Sequence, residues 1–479
     1  MSGFEIVILW TDKLVYLLVA VIALTVWYVR RKEHLLAPWR RVAHSPSGMV
    51  GLTVLLVFIV IGLLDSMHYR PRLQTTESSQ PVYAVEVLSV LDLVLQPLRS
   101  HGEKTYSAPL ATHGYAKETA TLPGGGEQRI FPRLVYGGAH LVDVERDYGR
   151  DVARRAVIGV AAGLAVWLAG VGLFTAGMAQ RRRVVVREMW RRIWRGETTV
   201  PWRAVWLTLL PLCVLAAAAG VLAGGYHVLG TDKVGQDVLY EALKSIRTAL
   251  VIGTLTTLLM VPFAIAFGIT AGYFGGWIDD LIQYVYTTLN SIPGVLLIVA
   301  SVLMMQVYID THADLFPTAV ERADVKLLVL CAILGLTNWT DLCRLLRGET
   351  LKLRELEYIQ AAHAFGVRDV RIITRHILPN AMYLVLISTV MAFSSLVLAE
   401  AVLSYIGVGV DPSMYSYGTM INGARLEMAR DPMVWWSLAT AFVFMVTLVL
   451  AANLFADSVR DAFDPRVRIA RPPVKMQKA

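Results

Sequence analysis

Nine stretches of mostly apolar sequence recur along the chain, at about 14–29, 49–64, 155–178, 204–225, 248–272, 282–306, 326–343, 381–405 and 434–456. A hydrocarbon core about 30 Å thick takes about 20 apolar residues in a helix to cross. No water reaches backbone N–H and C=O groups there, so a helix, which satisfies its own, is the natural way across. Composition agrees, at 56% hydrophobic and 17% charged, against roughly a quarter charged in soluble domains. The expected fold class is therefore all-α: a polytopic transmembrane helical bundle of about nine spans, the second and seventh short.

Charge sets the expected orientation. Arg30-Arg31-Lys32 follows the first span, eight Arg and no Lys fall in 179–203, and segments 344–380 and 457–479 carry seven and six Lys/Arg. With nine spans these four segments share one side. The positive-inside rule makes that side cytoplasmic, with the N-terminus outside and the C-terminus inside. Basic loops beside anionic lipid account for the net charge of +8, and no nucleic-acid partner is called for. The first span lacks a basic leader and a small-residue cleavage site, so it is expected to stay uncleaved. Cys213, Cys331 and Cys343 lie within spans, form no CxxC pair, and are read as small apolar residues.

The chain divides into two N-terminal spans (1–64), an extracytoplasmic insert (65–154), an extra span with a basic interfacial helix (155–200), a region of six spans (201–468) and a cytoplasmic tail (469–479). The insert is rich in proline and holds the run Gly124-Gly125-Gly126; its apolar stretch 83–98 suffices for a helix or a small packed unit. His68, His101, His113 and His140 show no metal-ligand spacing, so no metal site is expected. In 184–195 apolar and aromatic residues recur at helical spacing with Arg between them. That pattern suits a helix in the membrane interface, its Arg reaching phosphates.

The longest loop between the last six spans, 344–380, is the most informative segment. Glu357, Gln360 and the pair Ala361-Ala362 favour a helix. Gly366 can end it, taking a positive φ after the last turn. A second short helix is expected from about Arg368 to Ile377, after Leu378 Pro379 breaks the chain before the next span. No residue here suits catalysis, and none is assigned a catalytic role. The product is a rigid helix–turn–helix whose small alanines permit close approach by another protein.

Ala361-Ala362, Gly366 and Ile377-Leu378-Pro379 resemble the signature loop of binding-protein-dependent ABC importer permeases. Gln360 stands where that signature has Glu, and His376 where it has Ile. Further segments resemble the C-type subunit of the dipeptide/oligopeptide/nickel branch: Gly230-Thr231-Asp232, Gly235-Gln236-Asp237, Gly272-Tyr273-Phe274-Gly275-Gly276, Ser291-Ile292-Pro293, Leu403-Ser404-Tyr405-Ile406-Gly407-Val408-Gly409, and Arg460-Asp461-Ala462-Phe463-Asp464-Pro465-Arg466. The resemblance covers about 200–468 and leaves the first three spans without a family counterpart. It implies that 201–468 is a permease core of six spans, and that Glu357, Gln360, Ala361, Ala362, Gly366, Ile377, Leu378 and Pro379 couple it to an ATP-binding subunit. It further implies a second homologous permease, two ATP-binding subunits and an extracytoplasmic solute-binding protein. This chain would hold no cofactor, ATP and Mg being bound by the partner subunits. It contains no GxxxxGK[ST] phosphate loop of its own.

Within the spans, Pro293 is a candidate kink along a pathway. Glu400 and Ser404 are candidate gating residues, with Glu400 expected to pair with Arg247 because a carboxylate at membrane depth needs a partner. Two other readings stay open from the residues alone. A secondary transporter would place more ionisable residues deep in several spans. A membrane sensor would use the insert to bind a ligand. Peptides, nickel chelates and peptide-like antibiotics all remain possible solutes.

Overall fold

The computed structural model describes residues 4–72, 83–121, 127–315 and 318–463. The run Gly124-Gly125-Gly126, the motif residues Asp464-Pro465-Arg466 and the tail 469–479 lie outside the described residues. In chain order, β1 (Phe4–Val7) leads into α1 (Trp10–Arg30), α2 (Glu33–His44) and α3 (Pro46–Asp65). The insert holds β2 (His68–Pro71), β3 (Leu88–Ser89), α4 (Val90–Val94), α5 (Gln96–Ser100) and the antiparallel pair β4 (Glu118–Thr121) and β5 (Glu127–Ile130). Next come α6 (Val144–Arg182), α7 (Val186–Arg195) and α8 (Trp202–Ala223). The remainder is α9 (Val238–Phe274), α10 (Gly276–Ser291), α11 (Gly294–Thr311), α12 (Ala319–Arg354), α13 (Glu357–Ala364), α14 (Asp369–Ile372), α15 (Leu378–Ile406), α16 (Tyr417–Arg425) and α17 (Trp436–Phe463).

Among the described residues, eight helices are long and apolar enough to cross a membrane: α1, α3, α6, α8, α9, α11, the continuous helix 369–406 and α17. The seventh expected span is present as α12 but is not among the eight. Between Lys326 and Asp341 its uncharged stretch is 14 residues long, short of the roughly 20 a crossing needs. The sixth expected span is broken at Ile292-Pro293, so that α11 alone qualifies.

α9 and α12 form the central pair. A Cβ on Gly268 would lie 2.7 Å from the Cys343 carbonyl oxygen, and one on Gly272 would lie 2.7 Å from that of Arg347. The two glycines, one turn apart, are what lets the backbones approach. Cys331 and Cys343 are buried in α12, as their reading as apolar residues requires. α3 and α17 pack together beside α9, and α15 closes the bundle. α6 and α8 form an antiparallel pair, Gly159 seated on Ala218 and Gly163 on Val214, which leans on the bundle along α3.

The starts of α1, α9, α12 and α17 gather at one end of the bundle together with the insert; the loop 344–380 occupies the other. At the insert end two cations on α9 collect four carboxylates. Lys244 Nζ lies 2.6 Å from Asp65 Oδ1 at the end of α3 and 3.1 Å from Asp92 in α4. Arg247 Nη2 donates to Asp12 Oδ1 at 2.7 Å and to Thr11 Oγ1 at 2.9 Å, both in the first turn of α1. It also lies 3.9 Å from Asp324 in α12, and Asp324 itself accepts from the backbone and hydroxyl of Thr11. His68 Nδ1 lies 2.8 Å from the other Asp12 oxygen.

The insert is a packed cap on this end. β1, β2 and β3 form one antiparallel sheet, Phe4 opposite Pro71 and His68 opposite Ser89, so the chain's start is woven into the insert. Trp436 Nε1 donates to the Thr231 carbonyl at 2.9 Å, and Tyr115 Oη to that of Met433 at 3.0 Å. His227, in the connection between α8 and α9, is buried with Nδ1 2.9 Å from Asp237 Oδ2 and Nε2 3.5 Å from Glu103 Oε1. Burial disfavours its charged form, but the two carboxylates outweigh that and raise its pKa to about 9. Glu103 is buried as well, yet His227 and the N–H groups of Tyr136, Val135 and Gly137 hold its pKa down at about 2.

Two outcomes follow from these charges. Asp12→Asn leaves buried Arg247 without its close carboxylate, and breaking such a pair costs about 3–5 kcal/mol. The thermal midpoint in detergent should fall clearly, and an unchanged midpoint would show that the pair holds nothing together. The pKa of His227 in the folded chain lies above its ordinary 6.5, so its contribution is complete below that pH and disappears as pH rises through about 9. Hydrogen exchange in 100–115 and 226–237, corrected for intrinsic rates, should lose protection between pH 7 and 9.5. His227→Gln should start less protected and show no such step.

Candidate functional site

The loop end is built on α12, which runs past the apolar bundle to Arg354. Arg347 holds it to α10 by a bidentate pair with Asp279, Nε to Oδ1 at 2.6 Å and Nη2 to Oδ2 at 2.7 Å. Arg354 Nη1 donates to the Tyr273 carbonyl at 3.1 Å, closing α12 onto the end of α9. After Leu356, which is extended, α13 begins with Glu357 in its first turn, where a negative charge suits the helix dipole.

α13 has two faces. Ile359 is buried against Ile269 and Tyr273 of α9 and against Ile372 and Ile377, with Ala362, Val367 and Leu378 at the margin. Glu357, Gln360, Ala361, His363, Ala364 and Phe365 are exposed. Gly366 adopts φ +74°, where only glycine sits without strain. Its turn is closed by bonds from Gly366 N to His363 O at 2.9 Å and from Val367 N to Ala362 O at 3.1 Å, the Schellman arrangement. Tyr273 Oη then donates to Asp369 Oδ1 at 2.6 Å, fixing the return helix to α9. The helix–turn–helix expected from sequence is present, and its apolar residues are the ones that seat it.

The expected residues divide accordingly. Glu357, Gln360, Ala361, Gly366 and Pro379 are exposed, Ala362 and Leu378 are half-buried, and Ile377 is fully buried and anchors the loop. Gln360 Nε2 donates to Glu355 Oε2 at 3.2 Å, still on the exposed side. Two features were missed. Phe365, at the tip, is 86% exposed. The anchors Ile359, Tyr273 and Asp369 hold the knob in place, and the helical spacing of Ile359 from Ala362 was the available signal.

Pro379 does not break the chain. Helix 369–406 runs straight through it, because residues 373–377 form a π-turn in which Leu378 N–H bonds to Ile373 O. The wider turn makes room for the ring and leaves Pro379 in the first turn of α15, where its missing N–H removes no bond.

The expected pairing of Glu400 with Arg247 is not made. Arg247 is taken by Asp12 and Asp324 on the faces of α1 and α12. Glu400, fully buried in α15, accepts instead from Ser404 Oγ at 2.6 Å, with Ser416 also hydrogen-bonding its carboxyl. Ser404 lines a cavity of about 400 Å³ at the insert end, with Asp232, Gln236, Glu241 and Glu427. Gly409 folds back onto it so closely that a Cβ there would overlap its hydroxyl. Pro293 caps α11 at the helix break. Beside that break Asn290, Thr337, Asn338 and Arg344 line a second cavity of about 420 Å³. The structure thus keeps Glu400 and Ser404 together and places Arg247 and Pro293 elsewhere. No cluster of metal-ligating side chains occurs among the described residues.

Comparison with known proteins bears on the same region. The family model described as binding-protein-dependent transport system inner membrane component matches residues 264–469. The oligopeptide transport system permease protein OppC of Mycobacterium bovis is 33% identical over 252 residues, covering 53% of this chain and 80% of that protein. The glutathione transport system permease protein GsiD of Pectobacterium atrosepticum is 31% identical over 299 residues, 59% of this chain and 91% of that protein. The dipeptide transport system permease protein DppC of Bacillus subtilis is 27% identical over 242 residues, 50% and 69% respectively. Among solved structures, an inward-facing MetNI methionine ABC transporter matches at 16% identity with a TM-score of 0.36, over 47% of this chain and 98% of that one. That likeness is too loose to position any residue. These relatives are named as permease proteins of transport systems. The chain accordingly belongs to the binding-protein-dependent ABC importer permeases, as a multi-pass inner-membrane component of the branch that holds the dipeptide and oligopeptide permeases.

Proposed function

We propose that this permease imports peptides or related small solutes by alternating access, driven by partner ATPases that bear on the exposed face of α13. The observation that carries the reading is the knob itself: a short helix fixed by Ile359, Tyr273 and Asp369 on one side, with Glu357, Gln360, Ala361 and Phe365 exposed on the other. The solute class is supported by relatives named for oligopeptide, dipeptide and glutathione transport. The assembly would contain a second homologous permease, two ATP-binding subunits and an extracytoplasmic solute-binding protein. α10 and α11, whose Trp277, Tyr284, Leu296 and Met304 are widely exposed, offer the apolar surface such a second permease needs. The loop end, with the Arg-rich segments, faces the cytoplasm in this reading; the insert end, with the cavity at Ser404, faces out. Residues 201–468 are the permease core and 1–200 its additional anchor and cap.

Gly366→Pro forces φ to about −65° where +74° is needed and removes the N–H that bonds His363. Uptake of a peptide solute should be abolished while the chain still reaches the membrane; normal uptake would sink the coupling role. Phe365→Ala, which disturbs no internal contact, should weaken copurification of ATP-binding subunits roughly tenfold, as loss of one aromatic anchor does. A pull-down that returned the chain without any ATP-binding subunit would remove the proposal altogether.

A further inference from the structure

The pair α6–α8 and the helix between them precede residues 264–469, which the family model matches, and one edge of that unit carries unbalanced charge. Residues 179–203 hold eight Arg and two Glu. Among the described residues only Arg192 has an acidic partner, Glu188 at 2.6 Å. α7 is not a loose tether: Met189 and Ile193 are buried on Phe174, Met178 and Ala179 of α6 and on Trp202 of α8. It therefore folds back along the end of α6. On that side it meets the start of α8, where Trp202 packs against the same cluster and Arg203 follows.

Two further observations locate this edge. Trp194 touches both Trp167 and Trp190, and Phe174 packs tilted against Trp202 and edge-on against Trp206, with Trp167 Nε1 donating to the Trp206 carbonyl at 2.8 Å. A ring of indoles where an apolar helix pair ends marks the headgroup depth of a bilayer, which suits a side chain that is apolar with one polar tip. Arg187, Arg191 and Arg195 recur every four residues. At 100° per residue they lie on the face of α7 opposite buried Met189 and Ile193, and all three are exposed, as is Arg203. Guanidinium groups beside an indole belt, with no carboxylate among the described residues to hold them, present unpaired positive charge and N–H donors to phosphate oxygens.

We propose that Arg191, Arg195 and Arg203, flanked by the tryptophan belt, form a binding site for the phosphate headgroups of anionic phospholipids in the adjoining leaflet. The site fastens the α6–α8 pair to the membrane surface at its loop end, as the insert fastens it at the other. It depends on the membrane location of the family and not on the identity of the solute.

The test uses the full chain, with whatever subunits copurify, offered equal amounts of phosphatidylglycerol and phosphatidylcholine in mild detergent; native mass spectrometry reads the lipid retained. Each basic residue beside an anionic surface contributes roughly fivefold in affinity, about 1 kcal/mol. Phosphatidylglycerol should therefore be favoured at least roughly tenfold, and R191Q/R195Q/R203Q should lose most of that preference. R191K/R195K/R203K keeps the charge and should keep most of the binding. Equal retention of the two lipids by the wild type, or an unchanged preference in the Gln variant, would overturn the proposal. A Lys variant as defective as the Gln variant would do the same, since the arginines would then be structural. Excess inorganic phosphate should leave the bound lipid in place; complete displacement would make this a free-anion site and not a lipid site.

Discussion

Two cations one turn apart near the start of α9 determine how the rest of the chain is attached. Lys244 and Arg247 are largely withdrawn from water, and each would be strongly unfavourable there alone. The four carboxylates that answer them come from α1, α3, α4 and α12. These elements are separated along the chain by as much as 313 residues, the span of the Thr11–Asp324 bond. Buried ion pairs return little net stability once their desolvation is counted, but they tolerate few alternative arrangements. Here they fix which end of α1 meets which end of α9, so the additional helices and the insert dock in one register.

The loop end is held by different means. Small residues bring α9 and α12 together, Arg354 closes the end of that pair, Arg347 ties α12 to α10, and α13 rests on α9 through Ile359. Well-packed interfaces of this kind do not deform continuously. A load on α13 therefore reaches α9 and α12 as one body, and the π-turn before Leu378 joins the same knob to α15 without a hinge.

How much of this was legible follows from the range over which each feature is encoded. The helix–turn at Gly366 is local: alanines, a turn glycine and a buried isoleucine within a dozen residues define it, and the structure has it. The fate of Pro379 was misread because the compensating π-turn lies upstream and has no composition signature. The partner of Glu400 was misread for a different reason. Ionisable residues in spans announce that a partner exists, but helix faces cannot be matched from sequence, and Asp12 and Asp324 sit closer to Arg247. His227 and Glu103, 124 residues apart, were likewise beyond reach, and the seventh span was found only as a helix because its apolar stretch is short.

The same contrast explains how the first 200 residues attach to the rest of the chain without obstructing α13. Their ionic attachments converge on the insert end: Asp12 on Arg247, Asp65 and Asp92 on Lys244, and Glu103 beside His227. At the loop end α2 rests on the flank of α17 through Val42 and Trp39, with Leu386 and Val390 of α15 beside them, and α7 packs on α6 and α8. Neither covers the exposed face of α13, where Phe365 projects. Ionic attachments concentrated at one end, and apolar side contacts at the other, leave the knob open to a partner while the cap above it stays in place.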